Sequence, residues 1–239
     1  MLEIGSSFSL AISLIGSLDP DLVEIVSLSL RVSLSAVGVA LVLGLPLGAA
    51  IAMGNFKGRL SLIVVSNALM GLPPVVVGLL VYLALSRSGP LGVLGLLYTP
   101  WAMIIAQVVL ITPIVVALTR EIIEQLHGEY AEYFASLVLS HPRRVGTLLW
   151  EGRFSLVTVC LAGFGRAIAE VGAVMVVGGN IDHLTRVMTT AIALETSKGD
   201  LELALALGIV LMLLALSVNA VIALIRPADS PGASAVTVR

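Results

Sequence analysis

Two ionisable residues sit inside an otherwise uncharged run from Phe154 to Val177: Arg166 and Glu170, in Gly163-Phe164-Gly165-Arg166-Ala167-Ile168-Ala169-Glu170-Val171-Gly172. Four apart, they share one face of a helix. Charges in such surroundings need a partner or water, and two readings stay open. The pair either lines or gates a polar route, or it is an internal salt bridge that fixes helix packing. Arg31, at the edge of another apolar run, either reaches toward Glu170 or snorkels to an interface. Gly165, Ala169 and Ala173 form a small-residue stripe beside the pair, which predicts close approach of a neighbouring backbone.

Other reactive constellations are missing. A nucleotide-binding P-loop needs a lysine after its glycine-rich turn, and the only lysines, Lys57 and Lys198, sit in Asn-Phe-Lys-Gly and Ser-Lys-Gly-Asp. His127, His141 and His183 are scattered outside the apolar runs, and no apolar run holds an aspartate, so neither a metal centre nor an intramembrane hydrolase finds its residues. The single cysteine, Cys160, builds no disulfide framework. The expectation is a non-enzymatic chain without a cofactor.

The elements that must position Arg166 and Glu170 follow from composition. Of the 239 residues 58% are hydrophobic and 12% charged, half the charge of an ordinary soluble domain. A charge near the centre of a membrane-spanning helix costs about 2.5–3.5 kcal/mol, so long uncharged runs mark spans. They occur at Val32–Phe56, Leu60–Ser86, Pro100–Thr119 (within a longer run that opens with an outer loop) and Leu203–Ile225; Phe154–Val177 is the fifth. The fold class predicted is therefore all-α, a polytopic membrane protein of about five spans. Phe8–Ile15 is too short to span and reads as an interfacial helix. Residues 1–24 form that N-terminal segment, 25–226 the membrane domain and 227–239 a small, polar, disordered tail. No cleaved signal is expected, because an acid and no base precedes the first apolar stretch.

Positive charge sets the orientation. With the N-terminus outside and the C-terminus cytoplasmic, Lys57, Arg59, Arg120, Arg143, Arg144, Arg153, Arg226 and Arg239 lie inside, against Arg87, Arg186 and Lys198 outside. The formal net charge of -2 argues against nucleic acid as a partner. Asn180–Glu202 then falls outside, with a short lateral or re-entrant helix in its middle. The loop 120–153 falls inside and reads as two short amphipathic helices, with Ile122, Ile123 and Leu126 before Ser140-His141-Pro142 and Val145, Leu148 and Leu149 after. It serves either as a docking surface or as a connector lying on lipid headgroups. Pro73, Pro74, Pro100 and Pro113 predict helix kinks.

Several stretches together resemble the permease subunit of ABC importers for tungstate, within the molybdate, tungstate and sulfate group. They are GLPPVVVGLLVYLALSRSGPLG at 71–92, YTPWAMIIAQVVLITPIVVALT at 98–119 and EGRFSLVTVCLAGFGRAIAEVGAVMVVGGNI at 151–181. The resemblance spans roughly 25–225 and is most specific where Arg166-Ala-hydrophobic-small-Glu170 leads into Gly178-Gly179-Asn180-Ile181. It implies a type I importer permease fold in the cell membrane and a homodimer enclosing the path. It also implies a separate cytoplasmic ABC ATPase and an extracytoplasmic binding protein that delivers the oxyanion. The candidate pathway or gating residues are Arg166, Glu170, Arg31, Gly178, Gly179, Asn180, Pro73 and Pro74. By the same resemblance a coupling helix at about Ala131–Arg144 meets the ATPase through Glu132, Tyr133, Ala135, Ser136, His141, Pro142, Arg143 and Arg144. The motif is irregular there: Glu132-Tyr133-Phe134 replaces Glu-Ala-Ala, Leu137 or Val138 stands for a glycine, and Trp150 replaces a proline. The alternative without this family is a stand-alone secondary anion transporter, for which no duplicated half is visible.

Overall fold

In the computed structural model the described residues are 2–137 and 140–225, and among them there is no strand. The helices are α1 (Leu2–Ser17), α2 (Pro20–Met53), α3 (Arg59–Met70), α4 (Pro74–Leu85), α5 (Pro100–Glu129), α6 (Ala131–Leu137), α7 (His141–Glu151), α8 (Arg153–Ile168), α9 (Gly172–Gly178), α10 (Met188–Lys198) and α11 (Leu201–Ile225). Three of them, α2, α5 and α11, are long and apolar enough to cross a membrane, and bent helix pairs raise the number to five. The upper number equals that of the expected runs, but the second bent pair is α7 with α8, at 74°, and not the whole of Phe154–Val177; the differences have physical causes.

The run Leu60–Ser86 is not one straight helix. It breaks at Gly71–Pro73, and α3 and α4 meet at 102°. Pro73 lacks a backbone donor and disfavours helix at Leu72, while Pro74 suits the first turn of α4. The fifth run breaks at Ala169–Val171, so Glu170 lies outside any helix. Pro46 and Pro113, by contrast, lie inside uninterrupted α2 and α5.

Other boundaries move outward. The first span starts at Pro20, where Asp19 caps α2 by accepting from the Asp21 and Leu22 amides, so residue 24 is no boundary. Its predecessor α1 packs on α11, with Ala11 fully buried among Leu22, Ile168, Met188 and Leu207. The third span runs on to Glu129, because Glu124 is neutralised by Arg59 and Arg120 and Ile123 is buried against Phe134 and Leu148. Ile122, Ile123 and Leu126 therefore extend α5 and do not form a separate helix. The tail 227–239 lies outside the described residues.

The central crossing is α2 on α5. A Cβ at Gly48 would stand 2.7 Å from the Val116 carbonyl oxygen, and one at Gly44 2.6 Å from Val115 Cγ1. This small-xxx-small pair lets the two backbones approach. The expected stripe at Gly165, Ala169 and Ala173 does not behave so. Gly165 faces open space, Ala169 is exposed, and only Ala173 meets a backbone, that of α4 at Gly78.

Gly48→Val is expected to lower stability by about 1–3 kcal/mol through overpacking, read as thermal melting in detergent. Gly38→Val, where no atom lies within 4 Å, should change it far less; equal effects would dismiss the crossing as a determinant.

Candidate functional site

Both helix breaks meet. A Cβ at Gly172, the first residue of α9, would lie 2.7 Å from Val75 Cγ2, and one at Gly78 would lie 2.8 Å from Ala173 Cα. Thus α4 and α9, the helices that follow the two breaks, pack side by side from their first turns, with Val77, Val81, Ala173, Val174 and Val177 in a common core. This contact brings the helix that Pro73 and Pro74 open against the start of α9.

The α8–α9 break is held by polar groups from α5 and α10 and by its own Glu170, and α2 in turn holds the start of α10. Gln107 of α5 donates its Nε2–H to the Ala167 carbonyl at 3.0 Å. Glu170 Oε1 accepts from the Ala173 amide at 3.1 Å and so caps α9. Thr189 of α10 donates to the Glu170 carbonyl at 2.8 Å, and Ser29 of α2 accepts from the Met188 amide at 2.8 Å. Arg166 Nη1 donates to Glu170 Oε2. The carboxylate side chain is 3% exposed and the guanidinium side chain 33%, so the cation looks outward from the bundle while the acid is buried. Because Gln107 is seven residues into α5, the pair lies about 10 Å from that end, nearer to it than to Arg120.

The remaining expected pathway residues divide. Arg31 is exposed and forms no ion pair with a described residue, so it is not brought to Glu170. Gly178, Gly179 and Asn180 close the far end of α9, about 10 Å from Glu170. There Thr185 donates to the Gly178 carbonyl at 2.6 Å. Gly179 (φ 71°) and Asn180 (φ 51°) take left-handed conformations, and a Cβ at Gly179 would stand 2.9 Å from the Tyr98 ring. The turn is a helix cap that packs against the loop before α5.

At the opposite end α6 and α7 fold back under α2 and α5. Phe134, 1% exposed, stacks with Tyr130 at 5.9 Å and with His127 at 6.4 Å. Arg59 ties this end together, donating to the Ile51 carbonyl at 2.8 Å and pairing with Glu124. Glu132, Tyr133 and Arg143 are exposed and Arg144 is half-buried. Ala135, Ser136, His141 and Pro142 belong to α6 and α7 by backbone; their side chains, with Val138 and Leu139, lie outside the described residues. Sequence reasoning missed Gln107, Thr189 and Phe134. A signal existed for the first, the only amide side chain in the run 88–119.

Beyond α9, His183 (φ 54°) contacts Glu24 of α2, Nδ1 to Oε2 2.9 Å. That hydrogen bond and the Glu24 charge, with Asp182 and Asp21 adding, raise the imidazole above its ordinary value. Arg186, which lines the same cleft, pairs with Asp182 at 2.9 Å.

Residues 44–228 match the family described as the binding-protein-dependent transport system inner membrane component. The chain is 41% identical over 219 residues to the tungstate uptake system permease protein of Peptoclostridium acidaminophilum, covering 92% of this chain and 96% of that protein. It is also 41% identical over 204 residues to a probable anion ABC transporter permease protein of Haloferax volcanii, covering 83% and 88%. To the sulfate transport system permease protein CysW of Escherichia coli K12 it is 28% identical over 178 residues, covering 68% and 58%.

Glu170→Gln keeps an oxygen for the Ala173 amide but leaves Arg166 uncompensated, whereas Glu170→Ala loses both contacts. The alanine variant should melt lower than the glutamine variant, by about 1 kcal/mol for the cap; equal melting would deny the capping role. For His183, a raised folded pKa means the contact is complete below about pH 6.5 and is lost as pH rises through the raised value. An NMR titration should show Glu24→Gln bringing the His183 pKa down; no change would remove Glu24 as the cause.

Proposed function

The chain belongs to the family of binding-protein-dependent transport system inner membrane components, and from that premise we propose that it is the permease subunit of an ABC importer that carries an oxyanion, tungstate before molybdate or sulfate. Near-complete coverage by the tungstate uptake relative supports the substrate. The observation that carries the mechanism is a charged pair placed where two helix breaks meet, with one-third of the Arg166 side chain turned outward. In lipid such a cation needs a polar neighbour. A second copy of the chain facing it would enclose a water-filled path between the two permeases.

The arrangement suits passage without tight capture. Arg166 lowers the barrier for a doubly charged anion, while its ion pair with Glu170 keeps the field weak enough for release. The breaks give α4 and α9 freedom to rock against α3 and α8. The basic end faces the cytoplasm, the N-terminus lies outside and the C-terminus inside, in accord with the distribution of Lys and Arg. An external binding protein delivers the anion at the end that carries Glu24 and His183. A separate ATPase supplies the work, docking on α6 and α7, whose exposed Glu132, Tyr133 and Arg143 stand on the Phe134 anchor.

Vesicles carrying the chain together with its ATPase and binding protein should take up tungstate only when ATP is present; uptake by the chain alone would remove the importer reading. Arg143→Glu with Arg144→Glu should abolish co-purification with the ATPase while membrane insertion stays normal. Undiminished co-purification would move the docking surface elsewhere.

A further inference from the structure

One polar atom at the α8–α9 break has no protein partner. Gln107 is 4% exposed; its Nε2–H is engaged by the Ala167 carbonyl, but its Oε1 is buried and meets no donor. Gln107 lines a cavity of about 10 Å³ together with Ser29, Ser33, Glu170 and Thr189. The hydroxyls of Ser29 and Thr189 are already committed, to the carbonyls of Ile25 at 2.7 Å and of Glu170 at 2.8 Å. Ser33, 3% exposed, makes no side-chain hydrogen bond to a described residue. The space is that of about one water probe, and a buried water needs two to four polar partners.

We propose that Gln107 is a positioning residue for the Arg166–Glu170 pair, and that one water molecule bridging Gln107 Oε1 to the Ser33 hydroxyl completes the joint. The water donates one proton to the amide oxygen and accepts from the serine, so the orphaned acceptor is satisfied. Gln107 acts through the backbone. By donating to the Ala167 carbonyl, which also accepts from the Glu170 amide at 3.2 Å, it braces the chain between Arg166 and Glu170. The water is the exchangeable member of this set. When α8 and α9 move, it re-pairs and leaves no amide stranded in an apolar surrounding. The occupant of the cavity is independent of the anion carried, whereas the positioning role rests on the gate reading given above.

The water is tested by a double-mutant cycle on the full permease in detergent. Gln107→Met and Ser33→Ala remove groups that share no direct hydrogen bond but line one cavity, so the cycle reads coupling through that cavity, and additivity excludes a bridge across it. The expected result is a melting shift for the double variant clearly smaller than the sum of the single shifts; additive shifts overturn the water. Should Gln107→Met fail to fold, a wild-type structure that resolves ordered solvent decides the point. Density within about 2.7–3.2 Å of both groups supports the bridge, and a well-defined cavity without density overturns it.

Positioning is tested in vesicles with the ATPase and binding protein, using tungstate. Gln107→Met should lower tungstate taken up per ATP hydrolysed by about tenfold, the scale of one lost buried hydrogen bond. A variant that merely loses folded protein lowers uptake and hydrolysis together, and an unchanged ratio overturns the positioning role. If wild-type vesicles show no tungstate-dependent hydrolysis, the importer reading fails, and the cycle alone decides the water.

Discussion

Where a helix breaks among apolar neighbours, its released amides and carbonyls have no water to fall back on, and each must find a partner inside the protein. That constraint organises the half of this bundle that holds Glu170. Around Ala169–Val171 an amide from α5 meets the Ala167 carbonyl, a hydroxyl from α10 meets the Glu170 carbonyl and the chain's own carboxylate meets the Ala173 amide. A serine of α2 then holds the start of α10. The break therefore gathers α2, α5 and α10 around itself, and Glu170 does two jobs, capping α9 and neutralising Arg166.

The two ends of the bundle are built on different physics. The basic end is braced by aromatic stacking around Phe134 and by Arg59 and Arg120 sharing Glu124, contacts that join α3, α5 and α6 into one platform, with Ala49 of α2 and Leu148 of α7 in the same core. Toward the other end the contacts are single hydrogen bonds at a break, each cheap to exchange. A stiff platform joined to an adjustable joint passes on a displacement applied at one end, which a soft platform would absorb.

The apolar runs, the charge asymmetry and the pairing of Arg166 with Glu170 were all legible in the sequence, because length without charge and a spacing of four are one-dimensional signals. Breaks were less so. Prolines at 46, 100 and 113 carry the same local signal as those at 73 and 74, yet only the latter coincide with a true break, where Gly71 precedes them and Gly172 receives Val75 from another element. The break before α9 has no proline at all; it depends on Glu170 preferring to cap and on partners 60 and 19 residues away. Gly44 and Gly48 were read as part of a span, since nothing local says which glycine faces a backbone. Phe134 looked like an irregularity in a motif until its burial gave it a structural task.

Helix α3 has no buried residue, and α3 and α4 hold 12 residues each, each too short to cross a hydrocarbon core unaided. During biosynthesis the uncharged stretch Leu60–Ser86 emerges as one hydrophobic segment, while the residues that brace its break, Gly172 and Ala173, are made almost a hundred residues later. At about 5–20 residues per second that is a delay of several seconds. The contact of α4 with α9 is thus completed only after most of the chain has been synthesised, whereas the packing of α4 on α5 needs residues made far sooner.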